Sequence, residues 1–281
     1  MSLVISSSYV IGDTVSGGGG GVINANNPVI GWRNLVTAGG LSSTTAAEGF
    51  PVSNLANPAT HLKWVGELSS PEQDEYITLG FSTVDDVDYV AVATHNWGSA
   101  GIAVSIEALD TDASPDTWVE LIAPVLLPND GPAIFRFAPQ AVSNLRIRLQ
   151  PGSAAPTAAV VYAGALLVLQ RRIYVGHTPI VDGRVTTVVN GRSESGAFLG
   201  RIILGQMTES GIDMKNITPD WFRVNMRPFL LQAQEFPFFF AWRPSTYPRE
   251  VGYCWLTSDP NPSNQLGNGM MQVSLKLAGV I

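Results

Sequence analysis

Hydrophobic and polar residues alternate in short runs along most of this 281-residue chain, and glycine or proline closes nearly every run. Successive side chains of a strand point to opposite faces, so such alternation marks strands with one buried face. The pattern predicts strands at 76–81, 89–94, 102–108, 118–122, 133–137, 144–149, 160–169, 184–189, 201–204 and 270–277. In 144–149 (NLRIRL), Leu145, Ile147 and Leu149 face one way while Arg146 and Arg148 face the other. The run 158–169 (AAVVYAGALLVL) is apolar throughout and reads as a buried strand pair or one long core strand. It is shorter than the roughly 20 residues of a membrane-spanning helix, and Gly164 interrupts it. One helix is predicted from Thr218 to about Glu235, with Thr218 as N-cap, Pro219 in its first position and Asp220 in its first turn. Pro228 breaks or kinks it. With 28 glycines and 19 prolines as punctuation, the fold class is all-β. The expected division is an N-terminal arm, 1–27, with a flexible pentaglycine at 17–21, then a sandwich over 28–172, then a second β-rich, barrel-like domain over 173–281.

The order of signals within 28–149 narrows the sandwich. Ala56-Asn57-Pro58 and Trp64 come first, then 76–80 (YITLG), then Val104–Glu107 as V-S-I-E with Trp118, and last Arg146-Ile147-Arg148. This order resembles the discoidin-like, galactose-binding-like β-sandwich, a jelly roll, over about 120 residues. Within it, Trp64 and Trp118 either plug the ends of the sandwich or line a sugar-binding face. The loop His95-Asn96-Trp97-Gly98 either forms a hydrogen-bonded turn over the core or presents a ligand site. His95, Asn96, Trp97 and Trp64 are therefore the candidate glycan-contact residues.

Composition shifts attention from ligands to assembly. Charged residues are 14% of the chain, against roughly 25% in a typical soluble domain, and mean hydropathy is +0.16. No secretory leader is read in 1–9 (MSLVISSSY). Protein–protein interfaces, whose centres are poor in charge and rich in aromatics, are the expected cover for this uncharged surface. The segment 236–242 (FPFFFAW) packs five aromatics into seven residues, and an alternating strand cannot turn them all to one core. Either both faces of that strand are covered, or some side chains meet another subunit. Phe236, Phe238, Phe239, Phe240 and Trp242 are accordingly the candidate assembly interface.

The C-terminal part carries a second resemblance. The stretch 198–202 (FLGRI) after 193–196, the segment 237–242, Tyr247, Gly252-Tyr253 and the terminal strand 270–277 look like tail-tip (distal-tail-like) proteins of long-tailed bacteriophages. The resemblance implies a virion structural protein of the tail tip or baseplate, made in the host cytoplasm. It would form a homo-oligomeric ring that links the tail tube to hub and fibre proteins. The chain departs from that pattern, because there the ring-forming barrel precedes the sandwich. The alternative reading is a carbohydrate-binding module for host surface glycans.

Little catalytic chemistry is visible. His61, His95 and His177 are far apart and form no metal-ligand spacing, and 193–196 (SESG) lacks the Gly-x-Ser-x-Gly elbow. Asp85-Asp86 and Asp110 with Asp112 read as solvated turns; Asp110, Asp112 and Asp116 have the oxygen donors that Ca²⁺ accepts. The single cysteine, Cys254, reads as a small buried hydrophobe. A net charge of −7, with no basic run longer than Arg171-Arg172, argues against nucleic acid as a partner. The expectation is a protein without enzyme activity, metal or cofactor.

Overall fold

A computed structural model of the chain describes residues 2–6, 26–67, 73–173 and 177–280. The pentaglycine at 17–21 lies outside them. The first half contains β1 (Ser2–Ile5), β2 (Val29–Gly31), β3 (Leu41–Ser43), β4 (Trp64–Val65), β5 (Glu75–Ala93), β6 (Ala103–Asp110), β7 (Thr117–Leu126), β8 (Ala133–Leu149), β9 (Thr157–Ala158) and β10 (Val160–Gly164). The remainder contains β11 (Leu167–Val168), β12 (Arg184–Arg192), β13 (Phe198–Ile217), a short helical segment, β14 (Phe238–Ala241), β15 (Val251–Leu256), β16 (Ser263–Asn264) and β17 (Met271–Val280). The molecule is all-β, as the alternation predicts.

The first sheet runs β10-β5-β8-β6-β7, with β1 parallel to β8 and β3 antiparallel to β5. Two expected pairs of short strands are in fact single long ones. Strand β5 joins 76–81 to 89–94, and β8 joins 133–137 to 144–149. The polar stretches between them read as turns in the sequence, but they pair with each other: Asp85 lies opposite Val142 and Asp86 opposite Ala141. Asp85-Asp86 is therefore strand, not turn. Register breaks between Gly80 and Asp85 and again between Val87 and Tyr89. The second break shifts the pleat, so Ile77, Leu79 and Val87 before it and Val90 and Val92 after it reach the same core. Leu145, Ile147 and Leu149 join them, and Arg146 and Arg148 face outward as the alternation requires.

The second sheet runs β11-β2-β14-β15-β17-β13-β12, with β16 beside β17. Strands β2 and β11 lie within the expected 28–172 unit, yet they pair here: Ile30 stands opposite both Leu167 and Phe240. The apolar run 158–169 is thus a strand pair whose members serve different sheets. Likewise β1, from the expected arm, belongs to the first sheet.

Three cores result. The first sits within the first sheet around Trp64, Trp97 and Phe135. The second lies between the sheets, where Tyr89 and Tyr162 meet Phe239 and Tyr253. The third lies between the second sheet and the helical segment, where Phe238 and Phe240 meet Phe229 and Met226. Residues 219–232 form that segment, with a π-turn at Phe222–Met226. Pro219 opens it as predicted, and Pro228, which cannot donate to the preceding turn, directly follows the π-turn, so the helix is irregular at that point rather than ended. Thr218 does not cap with its side chain; its hydroxyl is engaged by Gln170 Nε2 at 3.0 Å.

Candidate functional site

The candidate glycan residues all come together with the first core, and they point inward. Trp64 and Trp97 are 0% exposed. The Trp64 indole N–H donates to the Thr45 carbonyl at 3.0 Å. His95 stacks on Trp97 with centroids 5.0 Å apart. Its Nδ1 accepts from the Trp97 amide at 3.1 Å, which assigns the proton to Nε2, 2.9 Å from the Gly131 carbonyl. Burial lowers the His95 pKa to about 4, so the ring is neutral above that value. Asn96 donates to the Ala155 carbonyl at 2.7 Å and accepts from the Thr157 amide at 2.8 Å. The loop thus spends its polar atoms tying β5 to the segments around residues 130 and 156. It closes the end of the core, and neither tryptophan offers a face to a sugar.

Trp118 stands instead on the outer face of the first sheet. Arg146 lies 4.3 Å above its ring and 4.4 Å above that of Tyr76. The same guanidinium pairs with Glu107, and Arg148 pairs with Asp74 at 2.6 Å.

The candidate assembly residues divide as the alternation argument allows. Phe238 and Phe240 fill the third core and Phe239 fills the second, so both faces of β14 are covered from within the chain. These three are core residues, not interface. Phe236 is 45% exposed. Trp242 is half-buried: Tyr247 stacks on it at 5.6 Å, His177 lies 4.4 Å away, and its N–H donates to Glu250. Burial lowers the His177 pKa to about 4. Cys254 is buried and free, and burial pushes its thiol pKa well up.

A larger apolar surface lies where the sequence reading placed only modest strands. Strand β12 is the last of the second sheet, and its pairing with β13 covers 198–208. Strand β17 pairs with β13 only from Thr208 onward. Residues 184–192 and 198–207 are therefore a two-stranded ribbon beyond the sheet, roughly 30 Å long at about 3.3 Å per residue. Phe198, Leu199, Ile202, Ile203 and Leu204 are 55–69% exposed on it, and they occupy both of its faces. The missed signal is visible in 198–204 (FLGRIIL), where apolar residues fall on odd and even positions alike.

Among the described residues, no three His, Cys, Asp or Glu converge as a metal site, and no helix is long and apolar enough to cross a membrane. Asp110 Oδ1 accepts from the Asp112 amide at 3.0 Å, a self-contained turn.

No protein-family model matches the chain, and no curated protein matches it. Solved structures do show partial similarity. Chitosan-binding module 1 of a chitosanase/glucanase from Paenibacillus sp. IK-5 aligns at 12% identity and a TM-score of 0.41, over 47% of this chain and 99% of the module. The module CBM32-5 from Clostridium perfringens, solved with GalNAc-β-1,3-galactose, aligns at 10% identity and a TM-score of 0.40, over 47% of this chain and all of the module. CBM32-3 from a family 31 glycoside hydrolase of the same organism aligns at 16% identity and 0.37, over 46% and 94%.

Proposed function

We propose that the chain is a structural subunit that assembles with copies of itself, of the phage tail-tip kind that the sequence resemblance implies, and that it links neighbouring proteins mechanically. The observation that carries this reading is the β12–β13 ribbon. A lone two-stranded ribbon is marginal in water, and one with apolar side chains on both faces needs a partner to cover it.

Charge favours a second copy as that partner. The ribbon holds Arg184, Arg192 and Arg201 against Glu194 alone, a net of +2 on a chain of net −7. In the first sheet, β7 is the terminal strand. The stretch 109–135 around it has Asp110, Asp112, Asp116, Glu120 and Asp130 and no lysine or arginine. A contact between two different surfaces of one chain is head-to-tail, and it closes into a ring when the rotation allows. Phe236 is a further exposed aromatic.

The test is light scattering across a concentration series on the full chain and on an Ile202→Ser, Leu204→Ser variant. The expected result is an oligomer for the wild type and a monomer with an unchanged melting temperature for the variant. A wild type that stays monomeric at high concentration overturns the reading. A glycan array on the same sample then tests the second reading, carbohydrate binding. With Trp64 and Trp97 inside, the loop aromatic left for that role is exposed Phe50, on the loop that Asn54 ties to the Lys63 carbonyl at 2.8 Å. Array binding lost in Phe50→Ala would establish it.

A further inference from the structure

The chain leaves β11 through Leu169, Gln170, Arg171 and Arg172, and this segment is tied to the far end of β13. The Gln170 side chain clasps Thr218 twice: Nε2 donates to the hydroxyl at 3.0 Å, and Oε1 accepts from the backbone amide at 2.9 Å. Arg171 Nε donates to the Asn216 carbonyl. Strand β13 is bulged at this point. Its pairing with β17 slips between Met214 and Ile217, and Asn216 adopts a left-handed φ of 59°. Such a bulge takes side chains out of the regular alternation, and Lys215 lies within it.

Arg171, Arg172 and Lys215 line one pocket of about 230 Å³, counted to its open mouth, together with half-buried Trp221 and buried Met214 and Ile217. Arg172 is half-buried, while Arg171 and Lys215 are exposed. None of the lining residues is Asp or Glu. Among the described residues, none of the three cations forms an ion pair. The acids next to them in sequence are Asp213, which accepts from the Ser274 hydroxyl, and Asp220; neither lines the pocket.

A chain of net charge −7 thus gathers three of its 16 lysines and arginines around one small space. Like charges so placed repel each other, and an anion between them turns that repulsion into attraction. Arg171 is held by its Nε, which leaves its terminal nitrogens as a positioned pair of donors, a geometry that oxyanions accept. Three positive charges suit a dianionic tetrahedral group better than a singly charged carboxylate. A pocket below the roughly 300–1,000 Å³ of drug-sized sites takes that group and little more. Trp221 supplies an apolar wall on which a ring carried by the group can stack.

We propose that this pocket is a binding site for a phosphate or sulfate group, with Arg171, Arg172 and Lys215 as its cationic ligands. Bound there, the anion ties the segment after β11 to the bulge in β13. Residues 214–217 are at the opposite end of β13 from the ribbon, so the site stands or falls apart from the assembly reading.

The experiment is isothermal titration calorimetry on the full chain at low salt, with inorganic phosphate, sulfate, acetate and phenyl phosphate as probes. The expected result is saturable binding of phosphate and sulfate at millimolar concentration, weakened as added sodium chloride screens the charges. Acetate binds more weakly than either. Lys215→Gln, altered at an exposed side chain, and Arg172→Gln each weaken phosphate about fivefold, the size of one well-placed ion pair. Arg249→Gln removes the same charge at an exposed position outside the pocket and leaves binding as it is. Phenyl phosphate identifies the source of the group. Tighter binding than inorganic phosphate, through stacking on Trp221, points to a ring-bearing ester, and no gain points to the free ion. The proposal is overturned by the absence of saturable binding at millimolar phosphate and sulfate, or by a Lys215→Gln variant that binds as tightly as the wild type. It is equally overturned by acetate binding as tightly as phosphate, or by a loss in Arg249→Gln as large as that in Lys215→Gln.

Discussion

At the scale of single residues, burial decides what each aromatic and each titratable group does. Trp97 fills the end of the first core, yet its indole N–H has no partner there. Trp97→Ala should therefore cost about 3–5 kcal/mol, as large core truncations do. Trp97→Phe, which discards the unpaired N–H and keeps much of the contact surface, should cost well under half of that. Denaturant midpoints of the two variants check the difference. Two buried groups then set opposing pH trends. Between about 4 and the ordinary 6.5, the unfolded chain protonates His95 and the folded chain does not, so stability is lost as pH falls through that window. Burial raises Asp88 from 3.8 to about 6, so there the folded chain holds the extra proton and stability is lost as pH rises. Asp88→Asn keeps an oxygen for the Leu166 amide, which donates to Oδ1 at 2.7 Å, and removes the charge. The expected result is a steeper gain of stability from pH 4 to about 6.5 than in the wild type, read from urea midpoints at a series of pH values. The sequence posed both options for His95-Asn96-Trp97, a turn over the core or a ligand site, but it did not choose between them, because the letters are the same whether the loop faces water or core.

At the scale of elements, alternation identified faces well and continuity poorly. The NLRIRL strand was readable to the residue, since its leucines and isoleucine reach the core and its arginines do not. The join across 82–88 was not, because it depends on pairing with 138–143, some fifty residues away, and no local pattern encodes that partner. The triple phenylalanine shows the reverse case: the sequence posed the right pair of options, and only the presence of cores on both sides of β14 selects between them. Loops obey the same dependence on distant neighbours. A Cβ on Gly98 would stand 2.3 Å from the Asn129 carbonyl, so Gly98→Ala must push apart the two loops that Ser99 and Asp130 join at 2.8 Å. The expected loss is about 1–3 kcal/mol, in line with overpacking elsewhere, and a thermal melt measures it.

At the scale of the whole molecule, the boundary expected near residue 172 cuts through shared structure. Strands β2 and β11 leave the first half to join the second sheet, and the Leu169 amide donates to the Pro28 carbonyl at 2.8 Å within that pair. Tyr162 meets Phe239 at 5.4 Å and Tyr253 at 6.0 Å, while the Tyr253 hydroxyl donates to the Pro58 carbonyl at 2.8 Å. The change of texture that suggested a boundary is real as composition, but it marks the start of the ribbon rather than the end of a core. Removing 173–281 would strip cover from Tyr89, Ala91, Ile134, Val160 and Tyr162, all buried in the second core. A fragment 28–172 should consequently expose a wide apolar face, bind a hydrophobic dye and aggregate, although its first core is complete. The full chain, with the second core intact, should unfold in one transition whose midpoints agree by fluorescence and by circular dichroism. A soluble, dye-silent fragment together with two separated transitions in the full chain would mean that the two sheets are independent and that the core between them contributes little.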